Sequence, residues 1–234
     1  MFEYDPASGS GHHYTNDPND PTSLSMNSVT CVMEDRSGRI WVGTDLGGLN
    51  LLDRSTGQFK RYFNASGGLV NVSDIAETDD GRLWLASVAG LLEFDPQQES
   101  STSLGARNGL PSGLVGSILT DGEGHLWFST DHGLVEFDPD SGMVRRFDSR
   151  DGLPSNEACF ARHRAPDGTL YFGGPQGLAY FHPRLVKMPN TFEPPLVLTE
   201  VEVLDRRQES IKIPGLSAAW ALSDELILPW NQSY

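Results

Sequence analysis

Between residues 114 and 148 the apolar residues fall into four short runs, "LVGSILT", "HLWFST", "GLVEFD" and "MVRRFD". Polar punctuation, "DGEG", "DH" and "PDSG", joins them. Short runs rich in Val, Ile, Leu, Phe and Trp between Gly/Asp/Ser clusters predict consecutive antiparallel strands linked by tight turns. A helix does not fit, because Gly or Pro interrupts each window before an apolar stripe reaches about 10 residues.

The same pattern recurs along the chain. Residues 34–53 read "EDRSGRIWVGTDLGGLNLLD", 78–95 "TDDGRLWLASVAGLLEFD", 121–138 "DGEGHLWFSTDHGLVEFD" and 166–182 "PDGTLYFGGPQGLAYFH". An aromatic anchor falls at Trp41, Trp84, Trp127 and Tyr171, at intervals of 43, 43 and 44. The glycine three residues earlier, Gly38, Gly81, Gly124 and Gly168, keeps those intervals, and a Gly-Leu pair follows at Gly48, Gly90, Gly133 and Gly177. Asp53, Asp95 and Asp138 close three copies and His182 the fourth. Four strands in about 43 residues match a β-propeller blade.

These repeated positions are architectural. Asp35 to Gly38 is a hairpin turn in which Asp accepts local N–H groups and Gly takes positive φ. The anchor aromatic belongs on an inner strand, wedged between neighbouring blades and buried there. The sequence thus predicts an all-β fold of four-stranded antiparallel blades, incomplete as a propeller. Residues 22–64, 65–106, 107–149 and 150–186 are each expected to form a blade. Residues 1–21 end a preceding blade, because "FEYDP" (2–6) matches "LEFDP" (92–96). A stiff linker, 187–195, leads to 196–234, where "LVLTEVEVLD" and "ELILPWNQSY" are expected to be the first strands of a truncated β-sandwich. With both ends read as cut, the isolated chain is expected to self-associate and not to signal alone.

Composition narrows the partners. A net charge of −15 opposes nucleic acid, which needs clustered Lys and Arg, and opposes direct contact with anionic membranes. No apolar run reaches the ~18 residues of a membrane helix, and "MFEYDPASGSG" has neither the basic nor the apolar region of a signal peptide. Cys31 and Cys159, in innermost strand runs with two blades between them, are expected to be buried apolar residues without a disulfide.

The run "VTCVMEDRSGRIWVGTDLGGLNLLD" (29–53) and its copies resemble the two-component regulator propeller repeat. "YTNDPNDPTSLSMNSV" (14–29) and "DGLPSNEACF" (151–160) look like that family's blade connectors. "PPLVLTEVEVLD" (194–205), with "ELILPWNQSY" after it, resembles the start of a triple-tyrosine, immunoglobulin-like domain. The resemblance implies the periplasmic sensor region of a membrane-anchored bacterial hybrid histidine kinase. Its implied ligand is a small polar molecule, an oligosaccharide in many such sensors, and its implied partners are the remaining blades and sandwich of the parent receptor. Copy two departs from the pattern with "LASVAG" for "VGT", and copy four with Tyr171 for Trp and His182 for Asp.

Candidate chemistry is sparse. "TDGEGHLW" (120–127) looks like a sialidase Asp box, itself a structural turn, and no opposed carboxylate pair for glycoside hydrolysis is distinguishable. A glycan-active enzyme is the weakest reading, and no catalytic residue or cofactor is assigned. "DGEG" lacks the ligands of a calcium loop, and His12-His13 has no partner at ligand spacing, so no metal is expected. The candidate ligand-facing residues lie on connectors between second and third strands and on loops into innermost strands. They are Asp45, Asn71, Asp131, His132, Asn156 and Gln176. The alternative is a non-catalytic scaffold for protein–protein or homodimer contacts.

Overall fold

The computed structural model describes residues 1–63, 71–111 and 113–186, and beyond them the backbone of 203–204 and 210–211. Strands β1 (Phe2–Asp5) and β2 (Ser10–His13) pair antiparallel. The first complete sheet is β3 (Val29–Glu34), β4 (Ile40–Thr44), β5 (Gly48–Asp53) and β6 (Gln58–Tyr62), in that order. The second is β7 (Asp74–Glu77), β8 (Leu83–Ser87), β9 (Gly90–Asp95) and β10 (Ser100–Leu104). The third is β11 (Val115–Thr120), β12 (Leu126–Thr130), β13 (Gly133–Phe137) and β14 (Val144–Phe147).

The fourth sheet, β15 (Ala161–Arg164), β16 (Leu170–Gly174) and β17 (Gly177–Phe181), has three strands. That corrects the expectation of a four-stranded fourth blade among the described residues. After Phe181, Pro183 opens a 3₁₀ turn over Pro183–Leu185. Proline has no N–H to give a ladder and favours the first turn of a helix. His182 caps it, Nδ1 accepting from Arg184 N at 3.3 Å.

Each sheet meanders outward from an innermost strand, and β3, β7, β11 and β15 neighbour one another in that order. This is a four-blade propeller arrangement. The core lies between the blades. Trp41 packs with Ile75, Leu83, Leu85 and Phe94 of the second blade. Trp84 packs with Ile118, Leu126, Phe128 and Phe137 of the third, and Trp127 with Leu170 and Phe172 of the fourth. Each indole meets a phenylalanine one blade on: Trp41–Phe94 at 5.9 Å, Trp84–Phe137 at 5.9 Å and Trp127–Phe181 at 4.8 Å between centroids. All three tryptophans are at most 1% exposed.

Tyr171 differs. It is half-buried and stacks on its cross-strand partner Tyr180 at 5.8 Å. Tyr180 (68% exposed) and Leu178 (55%) share that open face, so Tyr171 lies on a face that no described blade covers.

The hairpin turns follow their residue chemistry. Asp35 Oδ1 accepts Ser37 N and Arg39 N, both at 2.9 Å. Its Oδ2 accepts Arg39 Nε at 2.6 Å and Trp41 Nε1 at 2.7 Å. Burial opposes the Asp35 charge, but the indole, the backbone amide and the guanidinium outweigh it and hold the carboxyl below its ordinary range. Gly38, Gly81, Gly124 and Gly168 all have positive φ, from 77° to 101°. Gly133 starts β13 at φ 107°, where a Cβ would lie 2.2 Å from Phe147 O. Asp53, Asp95 and Asp138 fold the turns after third strands and Asp5 the turn after β1, each accepting the amide two residues on at 2.8–3.0 Å.

Residues 187–234 form a separate unit. Within it β18 (Val203–Leu204) pairs antiparallel with β19 (Ser210–Ile211). The linker expected over 187–195 and the rest of the sandwich expected over 196–234 lie outside the described residues. No described helix is long and apolar enough to cross a membrane.

Candidate ligand-binding face

Antiparallel pairing puts the connectors between second and third strands at the same strand ends as the loops feeding the innermost strands. Asp45 N donates to Ser28 O at 2.9 Å, and Asn71 Nδ2 to Asp45 Oδ1 at 2.9 Å. Asn71 Oδ1 in turn accepts from Ser73 Oγ at 2.9 Å. Asp45 and Asn71 are therefore brought together, both half-buried, and spend part of their polarity on each other.

Two blades on, Asp131 Oδ1 lies 2.8 Å from His132 Nδ1, and both side chains are exposed. Asp131 also faces the third blade's lead-in loop, its carboxylate 3.5 Å from the Cβ position of Gly113. Asn156 is exposed, and its Oδ1 accepts Ser149 N at 2.7 Å, so it folds its own loop.

Gln176 lines a groove between the third and fourth blades, with Ser129, Leu153, Pro154, Cys159 and Phe172 around it. The groove is shallow and open, with a cavity volume of about 20 Å³. Its lining is mainly apolar, and beneath it Ser117 Oγ and Ser129 Oγ donate to Cys159 O at 2.7 and 2.6 Å. The six predicted residues thus divide into the Asp45–Asn71 pair, the Asp131–His132 pair, Gln176 in the groove, and Asn156 on the groove's loop.

Neither cysteine is set up as a nucleophile. Burial pushes the Cys31 thiol up to about 12, and burial also raises Cys159. Both are free and half-buried; Cys31 lies in β3, while Cys159 precedes β15.

Two groupings were not foreseen. Arg162 of β15 reaches past the third blade to Asp74 of β7, with Nε to Oδ2 at 2.7 Å and a terminal nitrogen to Oδ1 at 2.6 Å. The same carboxylate accepts Ile75 N and Ile118 N, both at 2.9 Å. Those hydrogen bonds to Asp74 hold the Arg162 guanidinium above its ordinary value, against burial. Asp74 stands one period after Cys31 and one before Ser117, so a charge alone in that column was the available signal. The second grouping, Asp121, His125 and Glu136, gathers on the opposite, hairpin-turn side of the third blade.

The sequence pattern of the two component regulator propeller family matches residues 23–45 and 109–132. No curated protein matches the chain. Among solved structures, the chain is similar to the extracellular domain of BT3049 from B. thetaiotaomicron, described as a hybrid two component system. The two share 24% identity over 87% of this chain and 28% of that one, with a TM-score of 0.70. The extracellular domain of BT4673, described likewise and from the same organism, aligns at 21% identity over 81% and 24%, TM-score 0.54. PorZ, a surface component of the type-IX secretion system of Porphyromonas gingivalis, aligns at 23% over 77% and 29%, TM-score 0.58. The chain spans about a quarter of the length of these structures. Its periodic tryptophans, turn glycines and meandering sheets make it a β-propeller chain, two stretches of which match the two component regulator propeller pattern.

Proposed function

We propose that this chain is part of the extracytoplasmic sensing region of a bacterial two-component sensor. It binds a small polar ligand, an oligosaccharide in chemical class, across the face that carries the strand-two to strand-three connectors. The observation that carries this reading is the groove between the third and fourth blades, with Gln176 on its wall and Asp131–His132 beside it on the same face. Binding residues concentrate on loops held by a rigid scaffold, and hydroxyl-rich ligands need convergent polar groups over apolar walls. The remaining blades, the membrane anchor and the kinase would belong to the parent receptor, and this region would stand in the periplasm.

Replacing Asp131 and His132 together by Ala in the parent receptor tests the reading. Both side chains are exposed and their ion pair is a surface one, worth at most about 1 kcal/mol. The ligand response should weaken while the melting temperature stays within a degree or two. An unchanged response removes them from the site. A second reading, a scaffold for protein or homodimer contact, is favoured by the exposed Tyr180–Leu178 face of the fourth blade.

A further inference from the structure

The hairpin turns of the first and second blades carry an arginine where the third carries a histidine. In the first blade Arg39 donates to Asp35, and in the second Arg82 bridges Asp80 and Glu93. Their counterpart one period later is His125. Its Nδ1 sits 3.3 Å from Asp121 Oδ2 and 3.1 Å from Glu136 Oε1. We propose that Asp121, His125 and Glu136 form a binding site for a divalent transition cation, with zinc the best match.

Three features of the cluster fit a cation. First, tetrahedral zinc with bonds of about 2.0–2.1 Å places its donor atoms about 3.3 Å apart, close to the 3.3 and 3.1 Å from Nδ1 to the two carboxylate oxygens, and all three donor atoms lie within 4.8 Å of one another. Second, each carboxylate has one oxygen fixed by the protein and one facing Nδ1. Asp121 Oδ1 accepts Glu123 N at 2.7 Å and His125 N at 3.2 Å. Glu136 Oε2 is held by the Arg145 guanidinium. Supporting bonds of this kind orient metal ligands. Both carboxylates are buried, Glu136 at 2% exposure, and two negative charges there call for compensation beyond one arginine.

The third feature is independent of the cluster. Trp127, the cross-strand partner of Glu136, is buried, yet its indole N–H has no acceptor among the described residues. In the first blade the equivalent indole donates to Asp35, the counterpart of Asp121. A buried donor left unpaired is costly. A water completing the cation's fourth position would supply the missing acceptor. One imidazole nitrogen and two carboxylate oxygens suit zinc or manganese better than calcium or copper(I).

Zinc titration of the chelator-stripped chain by calorimetry, read beside His125→Arg, tests the site. Arginine is what the first two blades carry, so this variant should keep its fold. The wild type should take up one zinc per chain that His125→Arg binds at least about tenfold more weakly. Zinc should also raise the melting temperature of the wild type only. Its effect on tryptophan emission should vanish in Trp127→Phe. If His125→Arg misfolds by circular dichroism, His125→Gln replaces it with the same expectation. No zinc uptake by the wild type, or equal affinity in wild type and variant (as adventitious binding at His12–His13 would give), overturns the proposal and leaves a histidine ion pair.

Discussion

Arg162→Ala should lower the stability of the chain by about 1–2 kcal/mol, less than for a fully buried pair, because Asp74 is buried while the Arg162 side chain is 31% exposed. The Asp74 carboxylate would stay buried between the innermost strands, keeping its two backbone donors but losing both guanidinium bonds. The loss should appear in chemical denaturation as a lower midpoint at an unchanged slope. Adding Asp74→Asn should recover part of it, because the uncompensated charge is then gone. A loss below about 0.5 kcal/mol would mean that the pair behaves as a surface salt bridge. Arg162 would then not tie the fourth blade to the second.

Trp84→Ala should cost more still, about 3–5 kcal/mol, from lost burial plus the cavity it leaves. Trp84 fills the interface of the second and third blades, touching residues of β11, β12 and β13. Repeat arrays draw much of their stability from such nearest-neighbour interfaces. Tyr171→Ala, at the same position of the fourth copy, should cost no more than about 1 kcal/mol, since the ring is half-buried on an open face. Denaturation of both variants beside the wild type checks the pair. Equal costs would show that the anchor acts within its own sheet and not through the next blade.

The contrast between Trp84 and Tyr171 shows what the sequence carries and what it does not. A strand, its turn glycine and its inward aromatic are local. Their spacing therefore placed Trp41, Trp84 and Trp127 on second strands, and the structure buries all three. Burial of Tyr171 depends on a neighbour, which the spacing cannot supply. The three strands of the fourth sheet have no such local signal: Pro96 and Pro139 follow the third strands of the second and third blades as Pro183 follows β17, and a fourth strand forms in both.

The candidate site was legible only as a face. Strand alternation fixes which connectors share an end, and that put Asp45, Asn71, Asp131, His132 and Gln176 on connectors or lead-in loops at one end. It does not tell which of them spend their hydrogen bonds on each other, as Asn71 does on Asp45 and Asn156 does on Ser149. Asp74 and Arg162 are 88 residues apart in sequence, and their meeting depends on how blades are set around the axis. Asp121, His125 and Glu136 needed the register of β12 on β13, which pairs Trp127 with Glu136.

The central claim, that this propeller face reads a polar ligand, is tested most directly by backbone hydrogen exchange with and without a panel of neutral and acidic oligosaccharides. At least one of them should slow exchange in residues 129–134, 153–159 and 174–177, which frame the groove, while the turn at 121–125 is unchanged. No oligosaccharide giving protection there, or protection confined to the turn side or to the open Tyr180 face, would contradict it.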